Sequence, residues 1–228
     1  MKTRMVVGIG LLLLCSAVPA VAGPEVYVLG GVALANLGGD ASQIGDVSAA
    51  SLQEVGGLWT SAQKMRTGFD GGLGVSFRSS NVFGEALEVR YVTRGAKWDI
   101  AEHTGSGLVF TGTMKLNYIE IPALLQVTPP FSGPIQPLLV IGPVFGFKGS
   151  SDFEVKGEGG QVSQSIPGMK SANVGGLVGA GFKVSASPRA SLLLQARYQR
   201  GFTNLVDDSE FNLTSTDFSV LAGMSFEL

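Results

Sequence analysis

Gly68-Phe69-Asp70-Gly71-Gly72-Leu73-Gly74-Val75-Ser76-Phe77-Arg78 changes character at every residue. Phe69, Leu73, Val75 and Phe77 fall on one side of a period-two repeat, with Gly71 among them. Gly68, Asp70, Gly72, Gly74, Ser76 and Arg78 fall on the other. Successive side chains of an extended chain point to opposite faces, so the pattern predicts a strand with one apolar face and one small or charged face. Two neighbouring stretches repeat it. Across Gly84–Arg94, Leu87, Val89 and Tyr91 oppose Ala86, Glu88, Arg90 and Arg94. Across Lys115–Val127, Ile119, Ile121, Ala123, Leu125 and Val127 alternate with Tyr118, Glu120, Leu124 and Gln126.

Similar alternation occupies about Glu25–Ala35, Ile135–Lys148, Asn173–Ser185, Ala190–Thr203 and Thr216–Leu228, which brings the strands to eight. Pro122, Pro137 and Pro143 remove ladder donors and predict bulges or weak pairing. Short links at Ser79–Asn81, Thr128–Pro134 and Ala186–Arg189 alternate with long ones at Asn36–Arg66, Ala96–Gly112, Gly149–Ala172 and Asn204–Ser215. Such alternation predicts an all-β fold: an eight-stranded antiparallel up-and-down transmembrane β-barrel with short periplasmic turns and long extracellular loops. An even strand number puts both termini on the periplasmic side. On the second and third strands both polar faces fall on even positions. That parity predicts Arg78 opposite Val82, with Asp70 opposite Arg90 and Gly72 opposite Glu88.

Alternation alone leaves open which face points inward, since a soluble secreted ligand-binding barrel alternates with its apolar side inside. Only 15% of positions are charged against 45% apolar, where a soluble domain carries charge at about a quarter of its positions. The polar faces are largely Gly, Ser and Ala, which suits a narrow lumen better than a water-facing surface. Phe77, Phe83, Tyr91, Trp98, Tyr198 and Phe202 sit near strand ends, as an interfacial aromatic girdle would. Phe218, Val220, Ala222, Met224, Phe226 and Leu228 line one face of the last strand. A formal net charge of −2 gives no basic surface for nucleic acid.

The N-terminal segment reads as an address. Lys2 and Arg4 precede the apolar run Met5–Leu14, and Ala20-Val21-Ala22 offers a small-residue cleavage site. Residues 1–22 are therefore expected to be a cleaved signal peptide and residues 23–228 the barrel domain, located in the cell outer membrane. Leu14 is bulky where lipid attachment at Cys15 would need a small residue. Cleavage also removes the single cysteine.

Arg94-Gly95-Ala96-Lys97, Lys115-Leu116-Asn117-Tyr118-Ile119-Glu120-Ile121-Pro122, Gly142-Pro143 and Gly201-Phe202-Thr203-Asn204 resemble the PorT-like outer-membrane β-barrel family. The Glu-Ile-Pro element after a tyrosine is its most specific feature. The resemblance spans the mature chain and is clearest from Gly68 to Gly146. It implies the barrel fold in a Gram-negative outer membrane. It carries no catalytic residue, and the namesake's link to protein secretion does not transfer with the fold.

Asp70, Glu88, Arg90, Arg94, Glu120, Lys183 and Arg197 form the strongest constellation, a predicted lumen charge network. Its primary reading is structural: paired charges filling the barrel beside Leu124, Leu138, Val140, Leu177, Leu193 and Leu221. A polar path for ions or small solutes is the other reading. Chemistry elsewhere is thin. The only histidine, His103, has Glu102 and Ser106 nearby but no patterned third group for hydrolysis. One histidine and one cysteine make no zinc site. Lys156–Gly160 is glycine-rich without the strand–helix setting of a phosphate loop. The acidic run Asp207-Asp208-Ser209-Glu210 is either a solvated loop or a calcium ligand set. No catalytic, cofactor or metal residue is assigned and no cofactor is expected.

The function expected is a non-enzymatic outer-membrane scaffold acting through its loops. A narrow transporter or secretion accessory and a soluble secreted ligand-binding barrel are the alternatives. Expected partners are outer-membrane lipid, the barrel-assembly machinery during biogenesis, and a protein or surface ligand at the long loops, with no nucleic acid. Leu52, Val55, Leu58 and Trp59 in the first long link suggest a short lid helix or a partner-facing patch.

Overall fold

The computed structural model describes residues 23–53, 58–102, 109–131, 133–157, 160–166, 168–207 and 211–228. The signal segment, Val55, His103, Ser106, Asp208, Ser209 and Glu210 lie outside the described residues. The elements in order are β1 (Glu25–Gly39), α1 (Ala41–Gln53), β2 (Trp59–Arg78), β3 (Phe83–Glu102), β4 (Val109–Val127), β5 (Ile135–Gly157), β6 (Gly160–Ser165), β7 (Ala172–Ser187), β8 (Ala190–Gly201) and β9 (Leu213–Glu227).

Every strand pair is antiparallel. β1 to β5 pair in succession, β5 passes to β7, and β7, β8 and β9 continue to β1. The β4–β5 and β1–β9 pairings close this path into a ring of eight strands. β6 stands outside the ring and pairs with the far end of β5 alone, as a hairpin arm. A closed sheet has no free edge inside a bilayer, which is what a strand-built membrane protein requires.

The alternating faces fall where the sequence pattern puts them. Asp70, Glu88, Arg90, Glu120 and Leu124 are buried inside, whereas Phe69, Leu73, Phe77, Leu87, Val89, Tyr91, Ile119 and Leu125 are exposed outward. The stretch from Phe69 to Phe77 spans nine residues, close to the ~9–11 that a tilted strand needs to cross a bilayer. Phe69, Tyr91, Phe147, Tyr198, Phe202 and Phe218 face outward toward the loop end. Phe77, Phe83, Phe182 and Phe226 do so toward the turn end.

Four expectations need correction. Trp98 is not a girdle residue: it is buried and donates its indole N–H to the Ala41 carbonyl at 3.1 Å. Strands β2 to β5 run well past the span, so Trp98 lies in an extension and packs under α1. The first long link does hold a helix, α1, but Trp59 belongs to β2 and Leu58 is exposed. None of the three prolines sits at a bulge, but the pairing is weak at two of them: the β3–β4 ladder skips Pro122 and the β4–β5 ladder skips Pro143. The shifts lie at Met65/Asp70, Asn117/Tyr118 and Ser185/Ser187 instead, because a missing donor removes one bond without adding a residue.

The β2–β3 register also differs from expectation by two residues. Arg78 pairs with Gly84, so Gly72 faces Arg90 and Gly74 faces Glu88. The loop between the closing pair is two residues longer than expected. Ser79 and Ser80 N–H groups both donate to the Phe83 carbonyl, and the Ser80 hydroxyl oxygen accepts from Val82 and Phe83 N–H. A two-residue slip preserves the faces. Arg90 still reaches Asp70, on the diagonal. Gly72 gives it room, because a Cβ there would run into the Val89 carbonyl and Arg90 itself.

Candidate functional site: a sealed lumen

The lumen has three layers. Nearest the turn end lies an apolar core of Tyr27, Leu29, Ala86, Leu124, Leu138, Val140, Val144, Leu177, Leu193 and Leu221. Around and above it comes the charge network. At the loop end a second core of Leu37, Ala41, Ala96, Trp98, Met114, Leu116, Tyr118, Met169, Leu205 and Leu213 fills the mouth. Ala41, Gly45 and Ala49 repeat every four residues along α1 and present small side chains to the barrel. A Cβ on Gly45 would come within 2.8 Å of Trp98 and Ser61, so the helix lies as close as its sequence permits.

The network has two cells. In the first, both terminal guanidinium nitrogens of Arg197 donate to Glu88, Nη1 to Oε2 and Nη2 to Oε1 at 2.7 Å each. The Tyr27 hydroxyl donates to the same carboxylate at 2.7 Å. In the second, Arg90 bridges Asp70 at 3.0 Å and Glu120 at 2.8 Å and also donates to Gln199. Arg94 bridges Glu120 at 2.7 Å and Asp217 at 2.6 Å, and its guanidinium lies 5.8 Å from the Tyr118 ring centre. The Gln199 amide donates to both Glu120 oxygens.

These contacts cross the barrel. Arg90 ties β3 to β8, Arg94 ties β3 to β9, and Arg197 ties β8 to β3. Six of the seven residues singled out from sequence meet in these two cells. Lys183 does not: it lies half-buried at the turn end, where it donates to both carboxylate oxygens of Glu25 at 2.5 and 2.7 Å. Glu88 pairs with Arg197 and leaves Arg90 to the other acids. Sequence reasoning missed Asp217, Gln199 and Tyr27. The parity of β9 was legible and would have placed Asp217 inside with Leu221.

Among the described residues, no group of three or more His, Cys, Asp or Glu side chains is placed to hold a metal ion. Asp207 is exposed, and its N–H donates to the Gly168 carbonyl.

A model for the outer membrane protein beta-barrel domain matches residues 27–207. The chain belongs to the outer membrane protein beta-barrel domain family. It is thus an integral outer-membrane barrel, and the soluble secreted alternative falls away. No curated protein sequence matched. Among solved structures, Ail of Yersinia pestis is 16% identical over 90% of this chain and 99% of its own, with TM-score 0.42. Neisserial surface protein A is 17% identical over 89% and 97%, with TM-score 0.44. OprG from Pseudomonas aeruginosa is 14% identical over 91% and 96%, with TM-score 0.44.

Outside the span, the outward face of this family member's β2 and β3 carries charge. Asp99 accepts from Lys64 Nζ at 2.6 Å and from the Thr111 hydroxyl at 3.2 Å. The Lys64 hydrogen bond holds the Asp99 carboxyl below the ordinary aspartate range. A lowered folded value means that the contribution to stability is complete above the unfolded value, ~3.9, and fades as pH falls through the folded one. Carbon-detected NMR titration of Asp99 is expected to give a midpoint below ~3.9. In Lys64→Gln the midpoint should rise toward that value. An unchanged midpoint would discount the pair.

Proposed function

We propose that this outer-membrane barrel is a non-enzymatic scaffold that binds a protein or surface ligand through its loop end. The loop end is taken as extracellular and the turn end as periplasmic. The observation that carries the reading is the set of three cross-lumen ties between two apolar cores. A lumen occupied in this way leaves the outer strand extensions, α1 and the β5–β6 arm as the surfaces free to differ in recognition. The outward apolar band is assigned to lipid, and β9 with its outward Phe226 to the assembly machinery. Within the family, the Arg94–Lys97 and Lys115–Pro122 elements support a PorT-like membership. Residues 1–22 are assigned to a cleaved signal peptide.

An eight-stranded barrel with its interior filled by side chains has no aqueous channel. The purified protein in a planar bilayer is therefore expected to give no stable large-conductance steps. Reproducible porin-like steps would replace the scaffold reading with the transporter one. Protease added to intact cells is expected to cut between β3 and β4 or along the β5–β6 arm and to spare Ser79–Val82. Cleavage at Ser79–Val82 instead would invert the topology.

A further inference from the structure

The turn end is not flush. Between the strand termini and the lower apolar core lies a cleft of about 70 Å³, room for on the order of five water-sized sites. Tyr27, Leu138 and Leu193 help form it and belong to the buried core, so it is a blind pocket and not the start of a path. Ser76, Gln126 and Gln195 bring polar groups to its lining.

Two cations and two carboxylates, Arg78, Lys183, Glu25 and Glu227, line the cleft, and the cations differ. Lys183 is held by both oxygens of Glu25. Arg78 follows Ser76 on the inward parity of β2 and lies one residue from the turn. Among the described residues its guanidinium has no ion pair and no hydrogen bond. Gln195 is 2% exposed, and its carbonyl oxygen accepts from Arg197 Nε at 2.9 Å. Its amide nitrogen has no partner among the described residues and belongs to a side chain that lines the cleft. The nitrogen is not sealed from solvent although its side chain is buried, so it stands in the cleft as a donor open to a solvent or ligand acceptor.

A planar guanidinium and an amide N–H share one complementary group, a carboxylate, which accepts two parallel bonds from arginine and can take a third from the amide. The two leucines beneath suit a short aliphatic tail. We propose that the cleft is a binding site for a small monocarboxylate of about four to six non-hydrogen atoms, a size set by the ~5 water-sized sites available. Arg78 and Gln195 hold the carboxylate, and Leu138 and Leu193 face the tail. The site opens on the turn end and is independent of any partner at the loop end.

The test uses the full-length barrel in detergent micelles, with acetate and propionate as probes. The Gln195 side-chain amide is followed by proton–nitrogen NMR at constant ionic strength. Both probes are expected to shift this signal saturably, with propionate the tighter. Acetamide, which has the same shape without the charge, should leave it in place. Arg78→Gln should weaken binding at least tenfold, while Arg78→Lys should retain a weaker saturable response. Equal shifts with acetamide, equal shifts with chloride, or unchanged binding in Arg78→Gln would each overturn the proposal.

Discussion

Arg90→Ala is expected to cost about 3–5 kcal/mol of barrel stability, the cost typical of removing one partner from a buried ion pair. Among the described residues, Arg90 is the only group that touches Asp70, Glu120 and Gln199 together. Its loss leaves the fully buried Asp70 without its guanidinium and cuts the β3–β8 tie in that cell. Arg90→Lys should recover part of the loss. An ammonium can stay near one carboxylate, but it lacks the planar fork that spans two acids and an amide. Denaturant unfolding in lipid vesicles, read beside heat-modifiable migration on gels, checks both variants. A loss below about 1 kcal/mol for Arg90→Ala would mean that the network fills space without holding strands together.

Trp98→Ala is the second large effect. Its indole is almost completely buried, tilts against Phe153 at 6.2 Å between ring centres, and anchors α1 through the Ala41 carbonyl. Truncating a buried tryptophan costs about 3–5 kcal/mol through lost burial and the cavity left behind. Trp98 sits beyond the membrane-spanning rungs, so the loss should fall on the mouth and not on the ring. Heat-modifiable migration should persist while α1 becomes sensitive to added protease. Unfolding of the whole barrel would show that the mouth and the ring form one cooperative unit. An α1 as resistant as in the wild type would show that other contacts hold the helix.

What was legible in the sequence follows from period two. Phe69 against Asp70, and Val89 against Arg90, give the face of each strand without knowledge of its neighbour. The six lumen charges that meet in two cells follow from the same parity. Trp98 was misplaced because strand length beyond the bilayer leaves no periodic mark. An aromatic residue a few positions past Arg94 reads alike at an interface or inside an extension. The β2–β3 register was missed by two because Ser80 caps its own turn, a choice made by one hydroxyl and not by the flanking pattern. Asp217 and Gln199 stand in strands whose apolar face is so plain that the opposite positions draw no notice. The partner of Glu88 was beyond reach, since parity places both acids and arginines inside but says nothing about which cross the barrel.

The β1–β9 seam has a consequence for the order of events during assembly. It is among the longest ladders in the ring, running from Glu25 with Glu227 to Gly39 with Leu213. It joins the two ends of the chain, whereas the β2–β3 and β7–β8 ladders form between neighbours a few residues apart. Pairings of such long sequence separation form slowly, because the intervening chain must be ordered before they contribute. Arg94 compounds the delay, since its Asp217 partner arrives with the final strand. Until β9 is made and docked, a nascent chain presents two unsatisfied edges, on β1 and β8, with a buried guanidinium lacking one of its acids. Ring closure and charge compensation are thus a single late step, and a chain cut short before Leu213 could complete neither.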